Sequence, residues 1–183
     1  MDSSGSVGAH WSDEKTFVNK IADSIDMSVN GGHAAVTVFS NSAQLKIKFD
    51  DFYTYSDPPN PPINSFEEAV DGLSFIGSGT RIDKALEVAY EEMFRETNGM
   101  RIDATKYLVL ITDGRQNGVN YAEWANKFVN ANIRVIVIGV GNVNKNDLLD
   151  LVAVDSDLHL AKNFDELLNS TFIQNINLCN GKL

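Results

Sequence analysis

The residue order predicts an α/β fold, an open and mostly parallel sheet with one antiparallel edge strand and helices on both faces. Three observations carry that reading. Two runs, Tyr107 to Thr112 and Arg134 to Gly139, are almost continuously apolar and rich in Val, Ile and Leu, as parallel strands covered on both faces are. An earlier pair of runs reads as a hairpin: Ala34 to Phe39 is nearly all apolar, Gln44 to Phe49 alternates strictly, and the turn Ser40-Asn41-Ser42 joins them. The first is then a buried strand and the second has one wet face. Stripes at helical spacing fill the gaps, and helices alternating with buried strands give a layered α/β domain.

The helices follow in order. Ser12 is placed to cap a helix presenting Phe17, Val18, Ile21 and Ile25 on one face. Ile82, Ala85, Leu86, Ala89 and Phe94 make a second stripe, and Ala122, Ala125, Phe128 and Val129 a third. Leu148, Leu149 and Val152, then Phe164, Leu167, Leu168 and Phe172, predict two more. The segment Asp57-Pro58-Pro59-Asn60-Pro61-Pro62 is neither helix nor central strand, because each proline removes a donor and constrains its predecessor. It reads as an exposed linker inside one domain. A chain of 183 residues with 43% apolar content can bury one core, so a single domain over residues 1–183 is expected.

Composition removes several function classes. Lys and Arg number 15 against 25 Asp and Glu, and a net charge of −10 offers no attraction to a phosphate backbone, which excludes nucleic acid. The longest apolar runs are far short of the roughly 18 residues that cross a bilayer. Met1 is followed at once by a polar turn, so no signal peptide is read here. The lone cysteine, Cys179, excludes an internal disulfide and a multi-thiolate zinc site, and His10, His33 and His159 have no ligand-like spacing.

Three oxygen-rich turns stand at predicted element boundaries: Asp2-Ser3-Ser4-Gly5-Ser6, Gly77-Ser78-Gly79-Thr80 and Thr112-Asp113-Gly114. In open α/β sheets, ligands bind beyond the carboxyl ends of the strands, where such loops converge. Together the turns offer two carboxylates and three hydroxyls, a hard oxygen set that suits Mg²⁺ or Mn²⁺. A cation that wants six oxygens would keep a position for a carboxylate from outside.

These residues resemble the von Willebrand factor type A (vWA) family, which includes integrin inserted domains, matrilins and collagen A domains. Asp2-Ser3-Ser4-Gly5-Ser6 matches the family's Asp-x-Ser-x-Ser motif, Thr80 in Gly-Ser-Gly-Thr-Arg looks like its lone metal-site threonine, and Asp113 in Leu-Ile-Thr-Asp-Gly like its last aspartate. The resemblance runs from Asp2 to about Cys179. It implies a Rossmann-like sheet and a metal-ion-dependent adhesion site (MIDAS). There Ser4 and Ser6 ligate directly, and Thr80, Asp2 and Asp113 bind directly or through water. It also exposes a departure: relatives carry an apolar strand in the middle of the sheet just ahead of the first metal aspartate, and here only Met1 precedes Asp2. The central first strand is therefore expected to be missing, so that the sequence is a fragment or an incomplete gene model, or the strand comes from another chain. Relatives also often pair a cysteine after the last helix with one ahead of the first strand, and Cys179 stands where the former would be.

Each residue also has a bland reading. Asp2, Ser4 and Ser6 would make an ordinary polar terminus, Thr80 a helix cap, and Asp113 a turn residue ahead of Gly114. Asp83 and Asp103 read as a first-turn helix charge and a loop carboxylate. Gly77 to Thr80 could cradle a phosphate, but the Lys-Ser/Thr ending of a P-loop is absent. Asn169-Ser170-Thr171 is a glycosylation sequon that matters only in a secreted protein. Trp11, Trp124, Tyr53, Tyr55 and Tyr107 read as packing residues, although Phe52, Tyr53 and Tyr55 could form a contact patch beside the prolines.

By resemblance, the expected function is a non-enzymatic, metal-dependent adhesion module, secreted or in the extracellular matrix. It would bind collagen or another matrix or cell-surface protein through a donated acidic side chain, and the last helix, about Phe164 to Ile176, would move on ligand uptake. Two alternatives stand beside it. One is a metal-assisted, phosphatase-like hydrolase, weakened by the lack of a His or Lys base in the turns. The other is an intracellular vWA scaffold.

Overall fold

β4, Ile133–Val140, is the spine of the sheet, buried at every position except Arg134. Its side chains alternate between two cores, as a strand covered on both faces must. Ile136 and Ile138 join one core with Phe17, Phe66 and Phe164, while Val135 and Val137 join the other with Ile82, Leu86 and Phe128. β3, Lys106–Thr112, pairs with it in parallel from Lys106 opposite Ile133 to Thr112 opposite Gly139, and β5, Leu158–Ala161, pairs on the other side. The computed structural model that shows this describes residues 1–25, 27–28, 30–52, 64–114, 116, 118–169, 174 and 176.

β1, Val36–Phe39, and β2, Ala43–Ile47, form the antiparallel hairpin expected of them, with Phe39 opposite Ala43. β1 is buried throughout, and in β2 Gln44 and Lys46 face solvent. The sheet is in two pieces. β1 and β2 make one and β3, β4 and β5 the other. Only a short stretch at Met1–Ser4 extends the first piece: Phe39 N donates to the Met1 carbonyl at 3.0 Å and Ser3 N to the Phe39 carbonyl at 2.7 Å. Among the described residues no strand pairs with both β1 and β3.

The helices divide between the two faces. α1, Trp11–Asp23, packs with α2, Asn64–Asp71, and α6, Phe164–Leu167, over the first core. α3, Ile82–Val88, α4, Tyr121–Asn130, and α5, Lys145–Leu149, cover the second.

Several expectations need correction. Ser12 does not cap α1; a 3₁₀ turn over Gly5–His10 runs directly into the helix, leaving His10 at the cap position. The helix starts early because Trp11 is buried, with its indole N–H donating to the Leu73 carbonyl at 3.0 Å. Thr80 does not cap α3, since Arg81 holds that position and its N–H bonds the Ser40 carbonyl at 2.8 Å. The second stripe leaves α-geometry in a π-turn over Ala89–Met93. α4 is rotated from its expected face, burying Tyr121 and Phe128 while Val129 is 51% exposed. The strand β5 and the helix α2 were not anticipated. Phe52 packs edge-on against Phe66 and is not part of an exposed patch, while Tyr53, Tyr55, the proline segment, Ser170 to Phe172 and Cys179 lie outside the described residues.

Candidate metal centre

The site begins with a buried carboxylate in the opening turn of the chain, bridged to the end of β1. Asp2 is fully buried, and its Oδ2 accepts from Thr112 Oγ1 at 2.6 Å while Oδ1 accepts from Ser4 N at 2.9 Å. The first bond ties the opening turn to the end of β3, and the second folds the turn on itself. Ser3, also buried, fixes the other flank: its Oγ accepts from Ile76 N at 2.8 Å and its carbonyl from Gly77 N at 3.0 Å. Gly5 N then donates to the Ser78 carbonyl at 2.7 Å. These bonds hold the first two oxygen-rich turns together.

The hairpin turn supports the same place. Ser40 Oγ donates to the Gly79 carbonyl at 3.0 Å and accepts from Ser78 N at 3.2 Å, and Asn41 Oδ1 accepts from Gly79 N at 3.1 Å. The N–H groups of Gly77, Ser78, Gly79 and Arg81 are thus all engaged within the protein. A phosphate would find those donors taken, which removes the phosphate-cradle reading.

The exposed rim carries the remaining expected ligands. Ser4 Oγ and Ser6 Oγ are 3.2 Å apart, and Ser6 Oγ donates to Asp113 Oδ1 at 2.8 Å. The first and third turns therefore meet across 107 positions of chain. Thr80 closes the group: a Cβ added to Gly114 would come 3.1 Å from Thr80 Oγ1, so the bare glycine lets the Asp113 turn lie against the threonine. All five expected residues, Asp2, Ser4, Ser6, Thr80 and Asp113, fall in one cluster at the carboxyl ends of β1 and β3. Asp83 stands apart, bound twice by Arg81 at 2.8 and 2.6 Å, and that guanidinium holds its carboxyl down at about 2.

Charge at the cluster is unbalanced. Burial pushes the Asp113 carboxyl above its ordinary value, the Ser6 hydroxyl pulls it back, and the Asp2 charge pushes it up again. Among the described residues neither Asp2 nor Asp113 has an ion pair with Lys or Arg. Two carboxylates, each held by a hydroxyl and neither paired with Lys or Arg among the described residues, fit a divalent ion in chemistry and in arrangement. Among the described residues no group of three or more His, Cys, Asp or Glu could hold a metal, so any ion here would rest largely on hydroxyl oxygens.

Sequence reasoning missed the supporting residues. Glu14, fully buried on α1, accepts from Asp2 N through Oε1 at 2.8 Å, while its Oε2 has no partner. Burial pushes this carboxyl up to about 8, against the pull of the Met1 amino group, so its neutral form prevails near neutrality. Nothing distinguishes it in the sequence from a surface glutamate; only its neighbours Trp11 and Phe17, one turn away on each side, hint that the position faces inward. Thr112, Ser40 and Asn41 lay in turns already noted.

Comparison with known proteins places this geometry. A family model described as the von Willebrand factor type A domain matches residues 1–176. The human collagen alpha-5(VI) chain is 27% identical over 169 residues, covering 91% of this chain and 6% of that one. Bovine matrilin-1 is 27% identical over 140 residues, covering 76% of this chain and 24% of that protein. This chain therefore spans about a quarter or less of these relatives. Among solved structures, proximal thread matrix protein 1 from the mussel byssus, with a zinc-occupied MIDAS motif, superposes with a TM-score of 0.83 at 24% identity, covering 96% of this chain and 45% of that one.

Proposed function

The chain belongs to the von Willebrand factor type A domain family and is related to extracellular matrix proteins, and from that premise we propose that it is one non-enzymatic vWA domain that grips a partner through a divalent cation. The observation that carries this reading is the convergence of the Asp2, Thr80 and Asp113 turns, joined by the 2.8 Å bond from Ser6 to Asp113. Ser4, Ser6 and Thr80 would hold the ion with hydroxyl oxygens, and Asp2 and Asp113 with carboxylates, directly or through water. An ion so held supplies a positive centre for an acidic side chain of the partner. Asp2 is oriented from behind by Thr112, and its N–H is held by Glu14. Mg²⁺ or Mn²⁺ is the expected ion. The partner class is an extracellular matrix or cell-surface protein, with collagen the first to test, and the setting is extracellular.

Hydrolysis is the weaker reading because the three turns carry no His or Lys to act as a base beside a nucleophile.

Calorimetric titration of the protein with Mg²⁺, before and after EDTA treatment, tests the proposal. We expect saturable binding that falls about tenfold or more in Thr80→Ala and disappears in Asp113→Ala, with thermal unfolding little changed. Equal Mg²⁺ binding by wild type and both variants would refute the assignment.

A further inference from the structure

Asp83 lies outside the cluster of expected ligands, yet it fastens together two of the turns that carry them. It stands in the first turn of α3, three residues past Thr80, where a helix leaves its leading N–H groups without partners of its own. The Asp83 N–H finds its acceptor 33 positions away, in Gln116 Oε1 at 3.0 Å, and the Gln116 side chain also helps to hold the Asp83 carboxyl low. The other grip on that carboxyl is the Arg81 guanidinium, with Nε at 2.8 Å and Nη2 at 2.6 Å. Arg81 is itself fixed, since its N–H donates to the Ser40 carbonyl at 2.8 Å. Gln116 is anchored by its main chain as well: its carbonyl accepts at 3.4 Å from the hydroxyl of Tyr121, a buried residue at the start of α4. Two positions before Gln116, Gly114 N donates to Thr112 Oγ1 at 3.2 Å, and an atom added as Cβ there would stand 3.1 Å from both Oγ1 and Cγ2 of Thr80. The Asp113 turn is therefore tied down on both sides and lies against Thr80. All of these bonds join protein groups, so they set the spacing of Thr80 and Asp113 independently of any ion.

We propose that the clasp of Arg81, Asp83 and Gln116 fixes the separation of Thr80 and Asp113 and thereby makes the metal centre select a small divalent ion over a large one. The inference rests on the metal-centre reading given above. Mg²⁺ binds oxygens at about 2.0–2.1 Å in near-octahedral order, whereas Ca²⁺ takes about six to eight oxygens at about 2.3–2.6 Å, and discrimination between them depends on the size and rigidity of the cage. Ligands that cannot draw apart suit the smaller ion and crowd the larger. Asp83 and Gln116 are positioning residues, and neither needs to touch the ion. Loosening the clasp lets the Asp113 turn move away from Thr80, which costs Mg²⁺ its fit and relieves Ca²⁺.

Calorimetric titration of the 183-residue chain with Mg²⁺ and, separately, with Ca²⁺ tests this in the wild type, Gln116→Ala and Asp83→Asn. The second variant keeps the N–H that Gln116 accepts and removes the charge that Arg81 grips. We expect the wild type to prefer Mg²⁺, Gln116→Ala to lose about tenfold in Mg²⁺ affinity with little loss for Ca²⁺, and Asp83→Asn to shift the ratio the same way by a smaller factor. A merely structural role would weaken both ions together. A further readout needs no metal: in EDTA-treated protein the Asp83 amide should exchange about tenfold or more faster in Gln116→Ala than in the wild type. Should Gln116→Ala fail to fold, Asp83→Asn carries the comparison of ions. An unchanged ratio of Mg²⁺ to Ca²⁺ affinity, an equal loss for the two ions, or an Asp83 amide that exchanges no faster would overturn the clasp and leave the metal centre standing. A wild type that prefers Ca²⁺ would likewise overturn the size selection, and one that binds neither ion would overturn the metal centre along with it.

Discussion

Asp2 shows how much of the centre depends on residues that never face a ligand. Its two oxygens are held by Thr112 and by the backbone of Ser4, and its own N–H is held by Glu14. That Asp2, Ser4, Ser6, Thr80 and Asp113 would come together was legible through the motif resemblance, because their oxygen-bearing side chains stand in the sequence itself; that they hold an ion is the proposal. Glu14 was not, because its role comes from being buried, and burial is a property of the fold. Its titration gives a sharp prediction. The folded-state pKa is raised from 4.5 to about 8, so between those values the folded protein keeps a proton that the unfolded chain has lost, and stability falls as pH rises. The buried Met1 amino group has its pKa lowered from 8.0, chiefly by loss of solvent, and contributes the opposite slope. Glu14→Gln keeps an acceptor for Asp2 N and removes the Glu14 titration. Urea unfolding across the interval from 4.5 to about 8 should therefore show the variant gaining on wild type as pH rises. A constant difference would mean that Glu14 is already ionised in the fold.

At the scale of elements, what could be read depended on whether neighbours or the element itself decided the structure. β3 and β4 were legible because a strand buried on both faces must be apolar at nearly every position. β5 was not, since Leu158-His159-Leu160-Ala161 is only four residues long and lies at the sheet edge, where Leu160 is 43% exposed. The cap expected of Ser12 failed for a different reason: the burial of Trp11 pulled the helix start forward. α2 follows directly on a proline-rich stretch, where the sequence signals a break, and has a single turn-length of apolar spacing, Phe66 to Val70. One element-level constraint is visible only in three dimensions. Gly139 sits in β4 beneath α5 and beside β5, and an added Cβ would come 2.7 Å from Val143, 3.0 Å from Leu160 and 3.1 Å from Leu148. Gly139→Ala must displace all three, so chemical denaturation should show a loss of about 1–3 kcal/mol. A neutral result would mean that the loop carrying Val143 yields freely.

At the scale of the whole molecule, the described strands form two pieces, β1 with β2 and β3 with β4 and β5, with an apolar gap between them. Helices bridge the pieces: α1 contributes to the core beneath β4 and lines the gap, and α3 meets both β1 and β2. In the β3, β4 and β5 piece every residue of the middle strand is paired on at least one side, whereas the hairpin is tied to its surroundings by helix contacts and by the few bonds from Met1 and Ser3. Local opening follows contact density and paired backbone, so the two pieces should not open together. Amide exchange followed by mass spectrometry on the metal-free chain should find β4 the slowest segment, and β1 and β2 exchanging at least about tenfold faster, in a separate kinetic class. The hairpin can open while the larger piece stays folded, because among the described residues no strand pairs with both pieces. A single exchange class with equal protection in β1 and β4 would show instead that the helices alone make the sheet one cooperative unit.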